Sequence, residues 1–77
     1  MEIILDANFL GEKKEAHEYL MEMLDLPDYY GHNLDALYDC LSERCDLNLV
    51  IVNSADAGEY FEKLVPIFEE TCVVDYI

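Results

Sequence analysis

Four consecutive apolar residues, Leu49 to Val52, place the strongest constraint on the fold. An apolar run of this length puts apolar side chains on both sides of a strand's pleat, which is typical of a central strand in a parallel sheet. Parallel neighbours cannot be joined by a tight hairpin and need crossover connections, usually helices. The run therefore predicts an α/β fold.

The remaining sequence supplies the other strands and the helices. Residues 2–5 read as a short strand, and residues 72–77 form a second one. Apolar residues at helical spacing predict three helices, over residues 12–24, 34–43 and 57–70. Three helices of this length cannot cover both faces of a sheet. We therefore expect a two-layer α/β sandwich with right-handed crossovers, forming one domain over residues 1–77.

Individual residues mark the ends and irregularities of these helices. Asn33 is a favourable N-cap for the second helix. Asp56 followed by Glu59 resembles a capping box before the third. Proline removes a backbone hydrogen bond, so we expect the third helix to bend near Pro66, or to end there and restart. We expect His17 at the edge of the apolar stripe of the first helix, without a metal-binding or catalytic role.

The net charge of −14 limits the possible partners. Eighteen carboxylates are opposed only by Lys13, Lys14, Arg44 and Lys63. Nucleic acids and anionic membranes need a positive surface, so we expect no direct binding to either. A strongly acidic protein meets cationic partners faster, and its self-repulsion favours a monomer when it is free. An acidic surface without any special partner is the alternative.

The cysteines and the termini suggest a cytoplasmic protein. Cys40, Cys45 and Cys72 are an odd number without zinc-site spacing, so a full disulfide framework is impossible. We expect Cys40 and Cys72 to be buried free thiols. No basic start followed by an apolar core resembles a signal peptide, and no apolar run approaches the length of a membrane span.

No motif predicts an enzyme. The sequence lacks a phosphate-binding glycine loop, a G-x-S-x-G elbow and an H-E-x-x-H pair, and neither histidine is close in sequence to a serine or cysteine nucleophile. We therefore expect no catalytic residue, metal or cofactor. Asp35 and Asp39 could be considered as a catalytic pair, but two exposed carboxylates without a pocket do not favour that role.

The unusual feature is the acidic face of the second helix. Asp35 and Asp39 lie one turn apart, opposite Leu37, and Ser42 and Glu43 extend the same side. Like charges at this spacing destabilise a helix slightly. Three tyrosines lie beside this face, and tyrosines are enriched in binding interfaces: Tyr29, Tyr30 and Tyr38. The face suits a basic partner, although a solvated helix next to a partly buried tyrosine cluster is the open alternative.

The segment 26–41, LPDYYGHNLDALYDCL, resembles the signature segment of the barstar family of ribonuclease inhibitors. The shared pattern is proline, paired tyrosines, glycine, Asn-Leu-Asp-Ala-Leu, an aromatic residue and Asp-Cys-Leu. A looser resemblance covers most of the chain, including His17 and the apolar strand. It implies the strand order 1-2-3 with helices packed on the sheet.

The resemblance also implies a function. A barstar-like protein would block the active-site cleft of a basic, barnase-type ribonuclease with the second helix and the loop before it, in an antitoxin-like or immunity-like role. Asp39 would replace the substrate phosphate, Asp35 would engage basic residues of the cleft, and Tyr29 would pack on a nuclease side chain such as its catalytic histidine. The matching positions are Tyr29, Gly31, Asn33, Leu34, Asp35, Tyr38 and Asp39, with Glu70 as a peripheral contact.

Three departures from the family pattern concern the choice of partner. Tyr38 replaces a frequent tryptophan, Arg44 replaces an aromatic residue at the edge of the surface, and the connection 53–58 is short. A different cationic protein, either a non-nuclease toxin or a regulator, is therefore the alternative partner.

Overall fold

The computed structural model describes residues 2–27, 30–44 and 47–77. Three strands form one parallel sheet in the order β1-β2-β3: Glu2–Asp6, Asn48–Val52 and Val73–Tyr76. The α-helices of these ranges are α1 (Lys13–Met23), α2 (Leu34–Ser42) and α3 (Glu59–Thr71). Short 3₁₀ turns follow β1 and β2, at Ala7–Phe9 and Ser54–Asp56. The predicted α/β architecture and strand order are confirmed.

The sheet has one covered face and one open face. Leu5 and Ile51 are paired in register and are completely buried beneath the helices. Ile4 pairs with Val50, which pairs with Asp75, and this row points the other way. Ile4 is 55% exposed and Val50 is only partly buried, so the apolar run of β2 marks the central strand, as predicted, while one of its faces stays open. The helices form a single second layer.

The core lies between the sheet and the three helices. Each helix contributes completely buried side chains at helical spacing: Ala16 and Leu20 from α1, Leu37 and Leu41 from α2, Leu64 and Phe68 from α3. Burying one large apolar side chain contributes about 1.5–3 kcal/mol, so this face fixes each helix on the sheet. Met23, at the end of α1, is exposed, although Leu20 and Leu24 on either side of it in the chain are buried in the core.

At α3, one of the two alternatives for Pro66 is excluded and the expected capping box is wrong. The helix is continuous through Pro66, so it does not end and restart there. Pro66 is exposed, and the carbonyl oxygen that loses its partner one turn earlier can be hydrated. Asp56 does not begin a capping box, because it belongs to the preceding 3₁₀ turn. The N-cap is Gly58, which makes no side-chain cap.

The turns after β1 and β2 lie against each other through two glycines. A Cβ atom on Gly11 would lie 2.7 Å from the carbonyl oxygen of Ala57, and one on Gly58 would lie 3.3 Å from the Cα of Gly11. Gly58 also has a φ of 93°, which disfavours other residues. This close approach joins the carboxyl ends of the two strands.

Candidate protein-binding surface

Asn33 starts the helix that carries the acidic face. Its Oδ1 accepts a hydrogen bond from the backbone N–H of Ala36 at 2.8 Å, which confirms the predicted N-cap. Its Nδ2 donates to the carbonyl oxygen of Gly31 at 3.1 Å. A Cβ atom on Gly31 would lie 3.1 Å from that same Nδ2. Gly31 and Asn33 therefore form one local unit that fixes the entry into α2.

The two faces of α2 have opposite character. Leu37 and Leu41 are completely buried against the core. Asp35 and Asp39 are exposed on the other side, and Ser42 and Glu43 continue it as exposed residues at the end of the helix. The Ser42 hydroxyl donates to the backbone carbonyl of Asp39 at 3.0 Å, so it leaves the Asp39 carboxylate free. The placement predicted from the helical spacing is confirmed.

Tyr38 and Glu70 extend the acidic face onto α3. The Tyr38 hydroxyl donates to the Glu70 carboxylate at 3.2 Å, and the ring is 37% exposed. This hydrogen bond to a carboxylate raises the pKa of Tyr38, with the charges of Glu70 and Asp39 acting in the same direction. Glu70 therefore lies beside α2, although Pro66 precedes it on the same helix.

The remaining tyrosines of the predicted surface differ from one another. Tyr29 lies outside the described residues. Tyr30 is only 4% exposed, so it belongs to the core, which agrees with the alternative of a partly buried tyrosine cluster. Its hydroxyl is hydrogen-bonded to Nδ1 of His17. Leu34, at the start of α2, is partly buried. Among the described side chains of this group, Tyr38 is the most exposed.

His17 lies inside the core, and the expectation of an edge position is wrong. Its side chain is completely buried between the hydroxyl groups of Tyr30 and Tyr60. Burial lowers the pKa of His17, and the nearby His32 and Lys13 lower it further. The same burial raises the pKa of Tyr30 and of Tyr60. Sequence spacing missed this site because both tyrosines are distant in the chain.

A cavity of about 360 Å³ lies between the loop after α1 and the last turn of α2, where Asp39, Cys40 and Glu43 line it. Burial raises the pKa of the Cys40 thiol, and the Glu43 and Asp39 charges add to this effect. A protonated thiol is a weak nucleophile. Cys40 and Cys72 are free, as expected, but only partly buried. Cys45 lies outside the described residues.

Arg44, at the edge of this cavity, has a structural contact. Its Nη1 donates to the carbonyl oxygen of Leu24, at the C-terminal end of α1. A cation is favourable at this end of a helix dipole. Much of the positive charge of Arg44 therefore interacts with the C-terminal end of α1. Within the described ranges, no group of three or more potential ligands is arranged to hold a metal ion, and no helix is long and apolar enough to cross a bilayer.

A parallel sheet covered on one face by helices, one of which exposes Asp35 and Asp39, defines this chain as a small acidic α/β protein. Residues 1–74 match the family described as barstar (barnase inhibitor). A protein of Bacillus subtilis (strain 168), named "Putative ribonuclease inhibitor YrdF", is 36% identical over a 74-residue alignment that covers 88% of this chain and 81% of the relative. The chain belongs to the barstar family.

Proposed function

We propose that this protein inhibits a basic ribonuclease of the barnase type by covering its active-site cleft with residues 30–33 and α2. The observation that carries the proposal is the exposure of Asp35 and Asp39 on one face of a helix whose other face is anchored in the core. The family description and the name of the Bacillus subtilis relative support it.

Inhibition follows from occupation of the cleft, with no reaction carried out by the inhibitor. A ribonuclease binds the substrate phosphate through cationic side chains, and a carboxylate can accept the same charge-assisted hydrogen bonds. Asp39, in the middle of α2, is the phosphate mimic. Asp35, in the first turn, engages further cations of the cleft. Tyr38 adds an aromatic contact beside them.

Local hydrogen bonds hold parts of this surface in place without a partner. The Asn33 cap fixes the start of α2, and Glu70 holds the Tyr38 hydroxyl. Preorganised groups lose less conformational entropy on association, so more of the interaction energy contributes to affinity. Ser42 and Glu43 are placed at the rim of an interface of standard size, about 1,600 Å² in total.

The net charge of −14 should increase the association rate with a basic nuclease, and salt should reduce that rate. Titration of a barnase-type ribonuclease at low and high salt tests this. We expect stoichiometric inhibition whose onset slows as salt rises.

Asp39→Ala should remove most of the inhibition and leave the fold intact. Asp75→Ala is the matched control, because it removes the same charge from the exposed row on the open face of the sheet. Equal inhibition by both variants would contradict phosphate mimicry. If the unmodified protein did not inhibit, a cationic partner that is not a nuclease would become the better hypothesis.

A further inference from the structure

Three of the four cations of this acidic chain lie at one edge of the proposed binding surface. Lys13, Lys14 and His32, together with the carboxylate of Glu18, line a cavity of about 360 Å³. Lys13 and Lys63 line a second cavity of about 450 Å³, together with Asp35. Because Lys13 borders both, the two cavities form a continuous area. We call the exposed residues Lys13, Lys14, His32 and Lys63 the basic patch.

The position of this patch is not explained by helix stability. Lys13 and Lys14 are the first two residues of α1. The N-terminal end of a helix carries partial positive charge, so lysines there are mildly unfavourable. The second cavity also borders the N-terminal end of α2, at Asn33 and Leu34. Helix dipoles and lysines therefore concentrate positive charge in this area, beside the carboxylates of Glu18 and Asp35, on a protein that is strongly negative as a whole.

We propose that the basic patch is a second contact area of the inhibitor, which pairs with carboxylates beside the active-site cleft of the nuclease. The inference rests on the proposed function, since it concerns the same binding surface. Lys13 and Lys63 share a cavity with Asp35, so a partner that reaches Asp35 also meets both lysines. A partner carboxylate that enters this cavity can accept hydrogen bonds from two ammonium groups.

This arrangement selects among basic proteins. A nuclease that is positive across its whole face would be attracted by Asp39 and repelled by the basic patch. A nuclease with a basic cleft and an acidic margin would match both areas. Electrostatic pattern, more than net charge, would then determine which partner is bound.

The test compares two double variants that lower the net charge by the same two units. Lys13→Gln/Lys63→Gln removes two positive charges from the basic patch. Asn8→Asp/Asn48→Asp adds two negative charges at exposed positions outside α2 and its preceding loop. The inhibition constant and the association and dissociation rates are measured against a basic ribonuclease of the barnase type, and circular dichroism confirms folding of each variant.

The two explanations predict opposite changes in the affinity of the lysine variant for the nuclease. If the patch pairs with nuclease carboxylates, the lysine variant should bind about tenfold more weakly, mainly through faster dissociation, while the asparagine variant binds as well as the unmodified protein or better. If the lysines only oppose a basic partner, the lysine variant should bind equally well or more tightly, which overturns the second contact area alone. Absence of inhibition by the unmodified protein overturns the proposed function and this inference together.

Discussion

His17 in α1 and Tyr60 in α3 are joined by a hydrogen bond in which Nε2 lies 2.5 Å from the hydroxyl oxygen. Nδ1 of the same ring is bonded to the hydroxyl of Tyr30, in the loop that leads into α2. A neutral imidazole has one donor and one acceptor, so two hydroxyl groups satisfy both nitrogens. The buried His17 side chain therefore connects the loop before α2 to α1 and α3.

We expect His17→Gln to destabilise the protein by about 1–3 kcal/mol. A glutamine cannot reach both hydroxyl groups in the ring's geometry, so at least one buried tyrosine loses its partner. Urea unfolding measures the loss. Glu18→Gln is a control on the adjacent, exposed position and should leave the midpoint almost unchanged. An unchanged midpoint for both variants would show that the two hydrogen bonds contribute little.

Stability should decrease as the pH falls below about 6.5, the ordinary pKa of an imidazole. Burial lowers the pKa of His17 in the folded protein, so in this range the unfolded chain binds more protons than the folded one. The contribution of His17 to the free energy of unfolding is complete above pH 6.5 and is lost as the pH falls towards the pKa of His17 in the folded state. The groups around the His17 ring are the hydroxyls of Tyr30 and Tyr60, which are hydrogen-bonded to it, and the charges of His32 and Lys13, which also lower its pKa.

The comparison for this pH effect is between the unmodified protein and His17→Gln. Protonation of carboxylates also changes the repulsion within a chain of net charge −14, and that effect is common to both proteins. The difference between their free energies of unfolding should therefore shrink from pH 7.5 to pH 5. A constant difference would contradict a lowered pKa for His17.

Glu70→Gln should bring the pKa of Tyr38 back towards 10, because it removes the carboxylate that accepts its hydrogen bond. NMR titration of the tyrosine rings measures this shift. Tyr76 is an internal reference, since burial and its bond to Glu69 raise its pKa to about 12. An unchanged pKa of Tyr38 in the Glu70→Gln variant would show that Glu70 does not hold the Tyr38 hydroxyl in solution.

Gly11→Ala should destabilise the protein by about 1–3 kcal/mol. The new methyl group would lie 2.7 Å from a backbone carbonyl oxygen, and a backbone cannot yield as a side chain does. Gly31→Ala is the contrasting variant, because its nearest neighbour is a side-chain atom, the amide nitrogen of Asn33 at 3.1 Å, and it should cost less. A lower unfolding temperature for Gly31→Ala than for Gly11→Ala would contradict the contact between the two turns.

Local patterns were sufficient to predict the three strands, the three helices and the two faces of α2. The Asn33 cap was also predictable, since it involves residues three positions apart. The position of His17 was not, because its partners come from a loop and from α3. Whether α3 continues through Pro66 or ends there was left open by the sequence for a similar reason. Phe61, Leu64 and Phe68 are buried on both sides of the proline, and their packing outweighs one lost backbone bond.

The parallel sheet also governs the order in which this protein can form. β1 pairs with β2, and both α1 and α2 lie between them in the chain. No strand pair can therefore form early as a local hairpin, and refolding should be slower than for a helical bundle of equal length. During synthesis on the ribosome, β1 is made before β2, so Ile3 and Leu5 stay exposed until β2 can pair with β1. The charge repulsion that weakens the native state would keep such nascent chains from associating with one another.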